Sequence, residues 1–198
     1  MNNPAISNLI LSLGAMQVAR RIPMEDPQVV NYLRIGYVSA QLISLAIYYF
    51  ITLKIRKKND LTVLKYVNPA SPMNPDAKPE LVQTTVKDYD LAETGKAIRS
   101  LLISVAIMTF LHGYMKYTQP LFIQSIMGLK GALESNPAKL HLWNKKAEGD
   151  LARPFKASGG MFESLTGKAS GPQTDAATIK EAEKAGKAEE ELKNSRDE

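Results

Sequence analysis

The sequence predicts an all-α membrane protein with two to three transmembrane helices, short interfacial or re-entrant helices, and a flexible polar C-terminal tail. Two observations support this fold class: apolar residues are concentrated in a few uncharged runs, and the segments between those runs are charged or rich in proline. The mean hydropathy of −0.19 resembles that of a soluble protein because the polar segments offset the apolar runs. Cysteine is absent, which excludes disulfides, thiolate metal sites and cysteine nucleophiles.

The strongest apolar run extends from Ile35 to Leu53 and contains no charged residue. As a helix, a run of this length covers roughly 28 Å, close to the hydrocarbon thickness of a bilayer. A cluster of basic residues follows at once, where lipid headgroups would hold it. We therefore predict a membrane-spanning helix over about 28–53, because the uncharged run is long for the core helix of a soluble protein.

A second span is predicted over about 97–116. Its apolar part, Ser100 to Met115, is shorter than a full crossing. Flanking Arg99 and Lys116 can bury their methylene groups and keep their charges in the headgroup layer, which lengthens the usable segment.

Two shorter helices complete the predicted membrane domain of residues 1–134. The first covers about 5–19 and is interpreted as a short span or an interfacial helix. It is not a cleaved signal peptide, since Arg20 and Arg21 follow the apolar stretch instead of preceding it. The other covers about 119–134, with Pro120 in its first turn, and is too short to cross alone.

The remaining segments are polar. Residues 54–95 are predicted to form a polar loop with four prolines at its centre. Within it, 81–86 has strand character but no evident partner strand. Residues 135–157 form a basic juxtamembrane segment, and 158–198 combine a flexible Gly/Ser linker with a charged tail that is helical or disordered.

The chain carries a formal net charge of +5, and its basic residues are concentrated outside the tail. A basic body near a membrane favours anionic lipid headgroups, or ribosomal RNA if a ribosome lies close by. The residues predicted to make such contacts form the basic cluster: Lys54, Arg56, Lys57 and Lys58. The number of spans and their orientation stay open, because Arg20 and Arg21 oppose the orientation that the basic cluster favours.

Polar side chains from position 34, just before the strongest apolar run, to position 52 fall within a sector of about 80° on a helical wheel, and Asn31 lies at the edge of that sector. We call this set the polar stripe: Asn31, Arg34, Tyr37, Gln41, Ser44, Tyr48 and Thr52. Polar groups inside a membrane normally face other helices or a water-filled cavity. The stripe is therefore interpreted either as a hydrophilic groove or as a face that packs against neighbouring helices, and both alternatives stay open.

No residue pattern indicates catalysis. His112 and His141 are the two histidines and cannot make a zinc site alone. Asp88-Tyr89-Asp90 offers too few oxygen ligands for calcium or magnesium and is interpreted as a helix-start signal. Nucleotide-binding, serine-hydrolase and metalloprotease motifs are missing. We predict a protein that is not an enzyme and needs no cofactor.

Four segments resemble a known fungal family: MEDPQVVNYLRIGY (24–37), QTTVKDYDL (83–91), MKYTQPLFIQSI (115–126) and GDLARPFKA (149–157). The family consists of endoplasmic-reticulum membrane proteins of the SRP-independent (SND) targeting pathway, historically called inorganic phosphate transport proteins. The resemblance runs from the N-terminus to about residue 157 and resumes in the EAEKAG segment of the tail.

The resemblance implies a multi-pass protein of the endoplasmic-reticulum membrane that assists delivery or insertion of client membrane proteins. The implied partners are the Sec translocon and associated membrane proteins, the ribosome, and the clients themselves. Two alternatives remain: an adaptor or maturation factor for phosphate transporters, and a phosphate transporter, for which the chain has too few long spans. An insertase would use the polar stripe as its groove.

Overall fold

The computed structural model describes residues 4–68, 79–155 and 172–184, and helices make up most of them. The helices are α1 (Pro4–Ala19), α2 (Pro27–Lys58), α3 (Val86–Gly113), α4 (Gln119–Glu134) and α5 (Asn136–His141), and the strands are β1 (Val63–Asn68) and β2 (Glu80–Thr85). Residues 176–184 are also helical. The chain divides into a helical unit, Met1–Lys57 with Leu91–Lys145, and a sheet unit, Lys58–Asp90 with Lys146–Glu198.

Helices α2 and α3 are each long and apolar enough to cross a membrane, with 32 and 28 residues. The core helix of a soluble protein hides its apolar face, whereas these two helices expose many large apolar side chains. The exposed residues include Ile35, Val38, Leu42 and Phe50 of α2, and Leu102, Ile103, Ile107 and Phe110 of α3. Helix α1 contains a shorter apolar stretch, Ile6–Ala19.

Local capping explains where the helices begin. The Thr85 hydroxyl accepts a hydrogen bond from the Asp88 amide and donates to the Asp88 carboxylate, which satisfies an otherwise unpaired donor at the start of α3. The helix-start interpretation of Asp88 is therefore confirmed, although α3 begins about ten residues before the predicted position. Pro120 lies in the first turn of α4, and the Ser135 side chain caps α5 by accepting from the Ala138 amide.

The helical unit is held by two apolar clusters. In the first, Tyr48, Ile51 and Ile55 of α2 pack against Ala132 of α4 and Ala138 of α5. The second cluster brings together one residue each from α2, α3 and α4: Tyr37, Met108 and Leu121. One face of α2 is thus buried by the other helices of the unit, while the opposite face stays exposed.

The sheet unit contains an antiparallel pair of strands, and this departs from the all-α prediction. Strands β1 and β2 pair from Val63↔Thr85 to Asn68↔Glu80. The predicted polar loop 54–95 therefore contains the end of α2, both strands and the start of α3. The strand character predicted for 81–86 is confirmed for 81–85, while Val86 begins α3, and the partner strand lies upstream of the proline-rich stretch.

Residues 149–155, the described part of a segment that carried the family resemblance, are anchored by buried contacts within the sheet unit. The Arg153 guanidinium donates two hydrogen bonds to the Asp90 carboxylate, at 2.6 and 2.7 Å. The Tyr89 hydroxyl accepts from the Phe155 amide at 2.7 Å. The Tyr89 ring also makes edge-to-face contacts with Tyr66 and Phe155. These contacts attach the segment to β1 and to the first turn of α3.

The turn between α2 and β1 is organised by Asp60. Its carboxylate accepts hydrogen bonds from the Thr62 hydroxyl at 2.6 Å and from the Thr62 amide at 3.2 Å. These two bonds, with smaller help from nearby Lys58 and Arg153, lower the pKa of Asp60 below its ordinary value of 3.8. The preceding residue, Asn59, has φ of 47°, a left-handed conformation that asparagine tolerates better than most residues.

The predicted tail lies largely outside the described residues, which omit 156–171 and 185–198. The predicted Gly/Ser linker lies outside the described residues. Within the tail, the described residues 172–184 contain a β-bridge between Gln173 and Val67 and a short helix over 176–184.

Candidate functional site

An open groove of about 790 Å³ lies between α1, α2 and α4 within the helical unit. Most of its lining is apolar. The lining residues are Leu11 of α1, Gly36, Ser39, Ala40 and Ile43 of α2, Ser125, Ile126, Leu129, Lys130, Leu133 and Glu134 of α4, and Trp143 after α5. We refer to this feature as the groove.

The α2 wall of the groove is built from small residues. Gly36 and Ala40 are four residues apart and therefore lie above one another on the same helix face, next to Ser39. A Cβ atom built at Gly36 meets nothing within 4 Å, so the space beside it is open. In membranes, small residues at this spacing allow a second helix to approach closely.

A small polar group lies on the α4 side of the groove. The Lys130 ammonium group donates to the Asn8 side-chain oxygen of α1 at 2.6 Å and forms an ion pair with Glu134 one turn along α4. A paired cation and anion on an otherwise apolar wall leave little net charge there, which suits a wall that contacts mainly apolar groups.

Trp143 lines the groove as an exposed aromatic residue. Its indole N–H donates to the Leu133 carbonyl of α4 at 2.8 Å, and the side chain remains about half exposed. An anchored indole with an exposed ring is the arrangement that tryptophan adopts where apolar and polar surroundings meet.

The central part of the polar stripe is buried inside the helical unit. Tyr37, Gln41, Ser44 and Tyr48 are all less than a tenth exposed. Ser44 donates to the Ala40 carbonyl of its own helix at 2.8 Å. The Gln41 amide lies next to Gly128 of α4, where an added Cβ would be 3.6 Å from it. These four residues face neighbouring helices of the same chain, so the structure places the groove on the adjoining face of α2.

Tyr37 differs from the others because its buried hydroxyl has no hydrogen-bond partner among the described residues. The ring packs against Met108 and Leu121. At the far end of the stripe, the Thr52 hydroxyl donates to the Tyr48 carbonyl at 2.9 Å, which satisfies it within α2.

The outer end of the polar stripe forms an exposed network. Arg34 donates from Nε to His112 Nε2 at 2.9 Å and from Nη1 to the Asn31 side-chain oxygen at 3.1 Å. Because His112 Nε2 accepts, its proton lies on Nδ1, which is 3.0 Å from the Tyr117 carbonyl. Arg34 thus ties α2 to the end of α3, while its second bond, to Asn31, lies within α2.

The basic cluster divides into one engaged and three exposed side chains. Lys54 donates to the His141 carbonyl at 3.0 Å and lies 5.2 Å from the centre of the Phe50 ring. Arg56, Lys57 and Lys58 are exposed at the end of α2. Lys58 additionally approaches Asp60 at 3.8 Å, a contact that contributes little at the surface.

Within the described parts of the chain, no group of three His, Asp or Glu residues is arranged to hold a metal ion. The candidate functional site of the helical unit is therefore the groove. The groove could not be predicted from the sequence because its shape depends on how α1 and α4 lie beside α2. Two signals pointed to it: the small residues Gly36 and Ala40, and the Lys130/Glu134 pair in an otherwise apolar helix.

The model of one protein family, described as Phosphate transport (Pho88), matches residues 1–190. The chain belongs to the Pho88 family. The family resemblance identified from the four sequence segments is thereby confirmed. No solved structure matches the chain.

Two relatives of this Pho88 family member carry functional names. SRP-independent targeting protein 3 of Saccharomyces cerevisiae is 49% identical over 189 residues, which cover 94% of this chain and 97% of the relative. The SRP-independent targeting protein 3 homolog of Schizosaccharomyces pombe is 38% identical, covering 83% and 84%. A further S. pombe protein, named as uncharacterized, is 42% identical and covers 81% and 79%.

Proposed function

We propose that this Pho88 family member is an endoplasmic-reticulum membrane component of SRP-independent protein targeting that receives apolar segments of client membrane proteins. The names of its relatives support the pathway, since one of them is 49% identical over nearly the whole chain. The exposed apolar faces of α2 and α3 support the membrane location, because water would not favour so much apolar surface.

In the proposed topology the protein is multi-pass. Helices α2 and α3 cross the bilayer, and the shorter α1 and α4 are interfacial or re-entrant. Short helices that cannot match the full hydrocarbon thickness thin the bilayer locally. A thinner bilayer lowers the cost of moving a client's hydrophilic flank across.

The groove between α1, α2 and α4 is the single observation that carries the proposal. It is concave, mostly apolar and lined on α2 by small residues, which suits close contact with an apolar helix. The Lys130/Glu134 pair and Asn8 provide polar groups that can hydrogen-bond a client's hydrophilic flank while the client's apolar part moves into lipid. In this proposal, the buried part of the polar stripe packs α2 against the neighbouring helices and so holds the α2 wall of the groove in place.

The protein is proposed to act without catalysis or a cofactor. Its proposed partners are the Sec translocon with associated membrane proteins, the ribosome, client membrane proteins and anionic lipids. Exposed Arg56, Lys57 and Lys58 support contact with ribosomal RNA or anionic headgroups, since basic groups near a membrane surface attract both. Lys54 is already engaged within the protein.

Reconstitution tests the proposal against the transporter alternative. The purified protein is placed in liposomes and offered a client with one apolar span and a short hydrophilic flank. We expect more protease-protected client than in protein-free liposomes, because the groove shelters the span during entry. The same liposomes should take up no more radioactive phosphate than protein-free ones. Phosphate uptake without any gain in client insertion would favour the transporter and reject the proposal.

A further inference from the structure

The two edges of strand β1 have different hydrogen-bond partners: the inner edge pairs with β2, and the outer edge contacts Gln173. On the inner edge, Thr62 accepts from Val86, which assigns the even-numbered residues of β1 to hydrogen bonds with β2. Val67 instead bonds outward: its N–H donates to the Gln173 carbonyl and its carbonyl accepts from the Gln173 N–H, both at 2.9 Å. Because hydrogen-bonding directions alternate along a strand, Val63 and Lys65 direct their backbone groups to this same outer edge.

Residues 172–184 occupy only one end of that outer edge. Among the described residues, Val63 and Lys65 have no backbone partner there, so two of the six available hydrogen-bonding groups are used. Residues 172–184 are also attached by an ion pair of 2.9 Å between Lys65 and Glu183, whose side chains are both about 40% exposed. Exposed ion pairs and isolated bridge bonds each contribute little, so these two contacts hold the segment only weakly to the outer edge.

We propose that the outer edge of β1 is a docking site for an extended acidic segment of a partner protein, which binds by strand addition in competition with residues 172–184. A partner strand lying along Val63, Lys65 and Val67 would make up to six backbone hydrogen bonds, where the chain's own segment makes two. The larger number of backbone hydrogen bonds favours the partner strand over residues 172–184. An edge strand with unpaired backbone groups is a ready template for this kind of pairing.

The side chains of β1 specify the chemistry of the partner. Val63, Lys65 and Val67 lie on the same face of the strand, since side chains alternate. Lys65 already pairs with a carboxylate, so an acidic residue opposite it is favoured. Val63 is 60% exposed, and an apolar residue opposite it would remove that surface from water. The preferred segment thus alternates apolar, acidic and apolar residues on one face. The proposal is independent of the groove.

A peptide-binding measurement on the full-length protein in detergent tests this proposal. The probe is a fluorescent peptide of sequence TVTETVT, which places glutamate opposite Lys65 and valines opposite Val63 and Val67. The double variant Gln173→Pro/Glu183→Lys removes the bridge donor and reverses the ion pair, which vacates the edge. We expect the peptide to bind this variant at least about tenfold more tightly than the wild type, because the competing segment is released.

Two matched controls separate strand addition from nonspecific attraction. The same peptide with N-methyl groups on the valines and the glutamate cannot donate its backbone hydrogens and should lose binding. Adding Lys65→Glu to the double variant should weaken binding of the acidic peptide. The single variant Glu183→Lys should also bind the peptide more tightly than the wild type, but with a smaller gain than the double variant. This variant provides the test if Gln173→Pro disturbs folding.

Equal affinity for the wild type and the vacated variants would overturn the proposal, as would binding that N-methylation leaves unchanged. The proposal would also be overturned if the outer edge of β1 bound residues 172–184 of a second copy of the chain. In that case the wild-type protein would be a dimer, and the peptide would bind only after the dimer dissociated. Analytical ultracentrifugation of the same samples detects that dimer.

Discussion

Leucine in place of Gly36 is expected to reduce client insertion at least about tenfold while the protein remains folded. The new side chain enters the open space beside α2 that the proposed client helix occupies. Overpacking a helix contact costs about 1–3 kcal/mol, and about 1.4 kcal/mol corresponds to a factor of ten in binding. Glycine is a poor helix former, so leucine at this position also favours α2 itself.

The matched control for Gly36→Leu is Gly95→Leu. Gly95 is also a helical glycine with nothing within 4 Å of an added Cβ, but it lies on α3 away from the groove lining. The reconstituted insertion assay compares the two variants at equal protein level. Insertion should fall with leucine at position 36 and stay near wild type with leucine at position 95. Equal activity of the two variants would remove the groove from the mechanism.

Methionine in place of Arg153 is expected to destabilise the sheet unit by about 3–5 kcal/mol, the usual cost of removing one partner of a buried ion pair. Asp90 is 2% exposed and accepts two hydrogen bonds from the guanidinium, so its buried carboxylate loses both of these charge-assisted bonds. The segment that places Phe155 against Tyr89 should loosen at the same time. Hydrogen exchange of the Phe155 amide and chemical unfolding of the purified protein measure the effect.

An exposed ion pair provides the control for Arg153→Met. Lys96 and Glu93 form a surface pair at 2.7 Å one turn apart on α3, and Lys96→Met should cost less than about 1 kcal/mol. The double variant Arg153→Met/Asp90→Leu should regain part of the lost stability, because apolar replacement of both partners is often tolerated. A loss of under about 1 kcal/mol for Arg153→Met would mean that this ion pair does not anchor the segment.

The positions of the long helices could be predicted because their signal is local. The uncharged run from Ile35 to Leu53 identified α2, and Pro120 marked the start of α4. The end of α2 was placed too early, since the basic residues up to Lys58 continue the helix. Lysine and arginine are good helix formers, so the headgroup-level cluster does not stop the backbone helix.

The small sheet could not be predicted because its pairing is not local. The segment 81–86 looked like a strand, but its partner, Val63–Asn68, lies beyond a proline-rich stretch that has no recognisable hairpin turn. The ion pair between Asp90 and Arg153 joins residues 63 positions apart, so no sequence spacing indicates it. Contacts of this kind follow from the assembled fold.

For the polar stripe, a helical wheel predicts which residues share a face of α2 but not what covers that face. The wheel correctly grouped Tyr37, Gln41, Ser44 and Tyr48 on one face of α2, and the structure buries all four. The wheel does not show which other helix covers that face. The groove instead lies beside it, where Gly36 and Ser39 leave space and α1 and α4 form the opposite walls.

Site-specific photocrosslinking during client insertion tests the central claim most directly. A photoreactive amino acid is placed at Ile43 or Leu129, which line the groove, and at Ile103, which is exposed on α3 outside the groove. We predict crosslinks from Ile43 and Leu129 to the apolar span of an inserting client, and few or none from Ile103. Crosslinks of equal strength at all three positions, or at Ile103 alone, would contradict the assignment of the groove as the client site.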